Sequence, residues 1–164
     1  MASACWIALS ATRSNPDPGR AMRIDFYQLS RDPVELAVAQ IARATLRAGH
    51  RLLVVADDSD LLTLISEALW SGEGTFLANG LAGSGHDERQ PVLLSTVPDC
   101  ANGAKYLALA DGKWREAEGA ERVFLFFDDR TVGEARTLWR DLGQREGAER
   151  HFWKQEGGRW TETA

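Results

Sequence analysis

Cysteine is nearly missing from this 164-residue chain: Cys5 and Cys100 are the only two, with no C-x-x-C pair and no histidine at ligand spacing. That argues against a zinc site, indicates no disulfide framework, and makes a reducing cytoplasm the natural compartment. No apolar run approaches the roughly 20 residues that span a bilayer. The nearest stretch, residues 4–11, is followed by Arg13 and lacks a basic leader, so it does not read as a secretory signal. A basic surplus is absent as well: 19 Lys and Arg stand against 24 Asp and Glu, a formal charge of −5. Non-specific nucleic-acid binding rests on phosphate neutralisation and counterion release, so a net acidic domain is a poor direct DNA binder unless its bases are locally concentrated. There is no internal repeat, no low-complexity tract, no G-x-x-x-x-G-K-[ST], no G-x-G-x-x-G and no G-x-S-x-G.

What is present is an ordinary globular composition, 44% hydrophobic and 26% charged. A chain of this length buries roughly 70% of its unfolded surface and needs no staple, so one domain is expected. Residues 1–21 read as a disordered leader, with Asn15-Pro16-Asp17-Pro18-Gly19 as linker chemistry. Met22 opens the first convincing strand and is a second candidate start of translation, which leaves 22–164 as the domain.

From Met22 onward short apolar runs alternate with helical segments. Residues 23–29 are strand-like and aromatic. Asp32-Pro33-Val34-Glu35 reads as a helix start with Asp32 as the capping carboxylate and Pro33 in the first helical position. Val34, Val38, Ile41 and Thr45 share a face, and Gly49 is the expected stop. Residues 51–56 form a continuous apolar run of the kind buried on both faces of a parallel sheet, followed by a helix carrying Leu61, Leu62, Ile65, Ala68 and Leu69. Residues 71–90 read as a long loop with one short strand, 92–95 and 106–109 as further strands, and 111–119 as a turn with a brief helix. A buried strand at 123–127 precedes a helix from the capping box at Thr131 to about Glu146. The tail, His151–Gln155 and then Gly157-Gly158-Arg159-Trp160, reads as an edge strand and turn. The expected fold is α/β: a single domain with a mostly parallel central sheet flanked by helices, a Rossmann-like layering without a phosphate loop.

Three features invite a functional reading. The doublets Asp57-Asp58 and Asp128-Asp129 each follow a buried strand, where open α/β sheets place ligands and magnesium. They suggest a magnesium-dependent nucleotide-binding or phosphoryl-transfer domain using Asp57 and Asp128; the plainer alternative is that Asp58 caps a helix and Asp128 or Asp129 ends a strand. The absent phosphate loop favours the plainer one. Asn79 to Gly85 is glycine-rich but opens no helix, so a partner-facing loop suits it better than a phosphate cradle. His50, His86 and His151 lie far apart and form no catalytic order.

The most informative segment is the last long helix. At 100° per residue Val132, Ala135, Leu138 and Leu142 form the core stripe, Trp139 sits at its edge, and Arg136 and Arg140 lie just beyond. An apolar floor with a basic lip suits an acidic peptide carrying an apolar anchor or a terminal carboxylate. The competing reading is a core Trp with two snorkelling arginines paired along the helix, for example Arg136 with Asp141. Trp70, at a helix end before Phe76 and Leu77, is either an interface anchor or a plug over the sheet edge.

The blocks Asp25-Phe26-Tyr27-Gln28-Leu29, Ala68-Leu69-Trp70, Phe76 to Gly83 and Ala135-Arg136-Thr137-Leu138-Trp139-Arg140, with the aromatic tail strand, resemble in order and spacing the chi subunit of bacterial DNA polymerase III. The likeness runs from about Met22 to Trp160. It implies a non-enzymatic α/β accessory subunit of the clamp-loader complex, cytoplasmic, without cofactor or metal, meeting DNA only indirectly and no membrane. By that resemblance Arg136, Trp139 and Arg140 would bind the acidic C-terminal tail of single-stranded DNA-binding protein. Trp70, Phe76 and Leu77 would face the psi subunit or another clamp-loader subunit. Trp139 stands where the family often has Tyr, Arg140 where Lys is common, and Ala78-Asn79 where the family loop often carries Pro-His.

Overall fold

The computed structural model describes residues 21–72 and 76–164. The expected leader lies outside them apart from Ala21. Eight strands form one sheet among the described residues: β1 (Met22–Gln28), β2 (Leu52–Val55), β3 (Asn79–Leu81), β4 (Val92–Ser95), β5 (Tyr106–Leu109), β6 (Arg122–Phe127), β7 (Ala148–Glu156) and β8 (Arg159–Glu162). Their order is β3-β4-β2-β5-β6-β1-β7-β8, and every neighbouring pair is parallel except β7 and β8. Among the same residues three α-helices accompany them: α1 (Val34–Arg47), α2 (Ser59–Trp70) and α3 (Val132–Gly143). The α/β layering is the expected one.

Strand alternation sorts the core into two layers. Tyr27, Val54, Leu94, Phe124 and Phe126 point to the side covered by α1 and α2, where Val38, Ala42, Leu62, Ile65 and Leu69 meet them. Ile24, Phe26, Val55, Leu125 and Phe127 point to the other side, under Ala135 and Leu142 of α3, with Trp114, Ala117 and Ala120 of the coil before β6 packed at the layer's margin. The apolar run of β2 is buried on both faces, as its composition requires. Gly49, with φ +84°, ends the α1 segment through the left-handed backbone that glycine adopts without steric cost.

Local chemistry departs from expectation at four places. Asp32 does not cap α1: Pro33 holds the cap position without a side-chain bond, and the Asp32 carboxylate accepts from Nε2 of the buried Gln155 at 2.5 Å. The capping box at Thr131 does not form, because the Thr131 hydroxyl accepts from the Asp128 amide at 3.1 Å instead, and α3 ends at Gly143, short of Glu146. No helix forms between 111 and 119. That segment is coil held by Arg115, which donates to Asp111 at 2.7 Å and to Asp57 at 2.7 Å. The first tail strand is not an edge: β7 lies between β1 and β8, and β8 is the edge.

Candidate functional site

The helix stripe on α3 sets the site. Ala135 and Leu142 are buried, Val132 and Leu138 are half-buried, and Trp139 packs at the margin of the second core layer. Phe26 meets the indole edge-on at 5.1 Å between ring centroids and Phe152 at 5.9 Å, so two aromatic residues from β1 and β7 fix its tilt. One side of Trp139 lines a groove of about 700 Å³. Its apolar floor includes Phe127, Val132, Ala135 and Phe152 along with Trp139, and its rim carries Arg136 and Arg140.

Both arginines are exposed, and among the described residues neither makes an ion pair or a side-chain hydrogen bond. The pairing of Arg136 with Asp141 is therefore not formed, and both guanidinium groups face solvent ready for a carboxylate. The structure adds Lys154 of β7 and Gln28 at the end of β1 to the lining. Neither was a candidate in the sequence, because each comes from a strand whose place beside α3 depends on sheet order. Arg150 was missed for the same reason: its guanidinium lies over the Trp139 ring at 4.4 Å.

The second aromatic candidate splits. Trp70 and Phe76 contact each other at 4.1 Å between centroids and stand 50% and 57% exposed, an apolar pair on the surface at the end of α2. Leu77 instead packs against the core beneath α2, its amide donating to the Leu69 carbonyl at 3.1 Å.

The aspartates at the strand ends are engaged by bases. Asp57 accepts from Lys113 at 2.5 Å and Arg115 at 2.7 Å, and these two bonds hold its carboxyl below the usual range. Burial pushes Asp111 up, but Arg115 and the amides of Asp57 and Lys113 reverse that and leave it low. Asp128 is lowered chiefly by Arg130, which bonds it at 3.0 Å. Asp58 caps α2 by accepting from the Asp60 amide at 2.9 Å. Carboxylates neutralised by neighbouring cations offer a magnesium ion little, and among the described residues no three metal-ligating side chains converge.

The family model described as the DNA polymerase III chi subunit, HolC, matches residues 22–149. The chain belongs to that family. As a chi-family protein it is an accessory subunit of DNA polymerase III, and it has partner subunits within that complex. The matched stretch contains all of α3 and the Trp70–Phe76 pair; Lys154, Phe152 and Arg150 lie beyond it. A comparison with curated proteins found no match. No helix among the described residues is long and apolar enough to cross a membrane.

Proposed function

We propose that this chi-family subunit is a non-catalytic, cytoplasmic adaptor. Its groove binds the acidic C-terminal tail of single-stranded DNA-binding protein through Arg136, Trp139 and Arg140. Its Trp70–Phe76 surface docks the psi subunit or another clamp-loader subunit. The observation that carries the first part is an apolar floor rimmed by two unpaired guanidinium groups, with Lys154 as a third cation. An acidic segment is drawn by the rim, and an apolar terminal side chain buries on the floor. The exposed Trp70–Phe76 pair supports the second part, since aromatic anchors dominate interface energetics. The net acidity of the chain fits an indirect route to DNA, with one local basic rim meeting a protein tail.

Isothermal titration of the full chain with the C-terminal peptide of the cognate single-stranded DNA-binding protein tests the groove. Arg140→Glu places a carboxylate against the acidic tail and is expected to weaken binding at least tenfold, ~1.4 kcal/mol or more. Unchanged affinity in that variant overturns the assignment.

A further inference from the structure

We infer that Arg150, which stands outside the groove lining, is a positioning residue that fixes the orientation of Trp139; its consequence for peptide affinity rests on the binding reading above. Three observations converge on the Arg150 side chain. Its guanidinium carbon lies 4.4 Å from the centroid of the Trp139 ring, a cation stacked on an indole face. Its Nη1 donates to the backbone carbonyl of the same residue, Trp139, at 2.5 Å. One side chain thus grips both the backbone and the ring of a single tryptophan. This grip falls in the last turn of α3, where a positive charge also meets the negative end of the helix dipole.

The third observation is a space kept open. A Cβ on Gly143 would lie 2.6 Å from Arg150 Nη1 and 2.8 Å from its guanidinium carbon, so only glycine there leaves Arg150 its place. Gly143 has no positive φ, and its backbone conformation does not require glycine; the neighbour it clears does.

Arg150 projects from β7 two residues before Phe152, which meets Trp139 edge-on, so this strand supplies both a cation for the ring face and an aromatic for its edge. Since Arg150 is not among the groove-lining residues while Trp139 is, its effect on a ligand is transmitted through the indole. Lysine cannot replace it: an ammonium lacks the planar fork that stacks on a ring while donating to a carbonyl.

The test uses the full chain labelled with 5-fluorotryptophan, the Trp139 resonance being assigned by its loss in Trp139→Phe. Arg150→Gln, Arg150→Lys and Gly143→Ala are each expected to shift or broaden that resonance. Gly143→Ala does so with Arg150 still present, because the far end of a flexible side chain yields before the backbone. A Trp139 line unchanged in all three variants overturns the proposal.

Titration with a synthetic acidic peptide ending in Phe gives the second readout. The same three variants are expected to weaken it about threefold to tenfold, with the salt dependence of the parent chain retained. Parental affinity in Arg150→Lys alone would mean that charge suffices, and would overturn the positioning role. A parent chain that does not bind the peptide refutes the binding reading, while the fluorine signal still decides whether Arg150 positions Trp139.

Discussion

Asp25 is a carboxylate with no exposed surface, at the middle of β1 between the buried Ile24 and Phe26. Its neighbours explain why it is tolerated. Arg122 donates to it at 2.7 Å, Arg23 at 3.0 Å and the Trp153 indole at 2.9 Å. Burial pushes its pKa up, and these three donors outweigh burial and leave it below the usual carboxylate range. Asp25→Ala is expected to cost about 3 kcal/mol by urea unfolding, the low end for breaking a buried pair, because Arg23 and Arg122 keep some access to water. Sequence reading could see Asp25 as a charge within an apolar strand, with Arg23 two residues away, but not its distant partners, Arg122 and Trp153. The same limit governs the groove. Arg136, Trp139 and Arg140 were legible because one helix carries all three and helical geometry fixes their relative faces. Lys154, Gln28 and Arg150 were not, since no local rule states which strand lies beside α3.

At the scale of elements, long buried strands and amphipathic helices were readable, whereas caps and edges were not. Asp32 and Thr131 have the right chemistry at the right spacing, yet each is taken by a partner that the helix-start rule does not consider: Gln155 for the first and the Asp128 amide for the second. The β7–β8 ribbon shows a similar competition. His151 on β7 bonds Glu162 of β8 through Nδ1 and Glu149 through Nε2 at 2.7 Å. The Glu162 bond raises its pKa first, burial opposes it, and Glu149 adds to the rise, with Asp25 also raising it and Arg23 lowering it through space. A histidine whose folded pKa is raised stabilises fully below its unfolded value of ~6.5, and the contribution is lost as pH rises through the folded value. Hydrogen-exchange protection of the Thr163 amide, which bonds the Phe152 carbonyl at 2.8 Å, is therefore expected to fall above neutrality in the parent chain. In His151→Gln it should show no such step.

For the whole molecule the acidic groups set the response to pH. Asp25, Asp57, Asp111, Glu116 and Asp128 are all held low by hydrogen bonds from basic, indole or amide groups. Groups of depressed folded pKa stabilise above the unfolded value of ~4, and that contribution disappears as pH falls through the folded values. The thermal midpoint should therefore decline steadily below about pH 4. Asp57→Asn should lessen the decline, a comparison made by calorimetry across pH. The place of β1 between β6 and β7 adds a matter of timing. Two of the three side-chain partners of Asp25 are 97 and 128 residues away along the chain, and the strand's two neighbours in the sheet are the sixth and seventh of eight. Closing such distant pairs is entropically costly and slows folding. During synthesis β1 leaves the ribosome long before β6 and β7, so the first strand among the described residues is among the last to be paired.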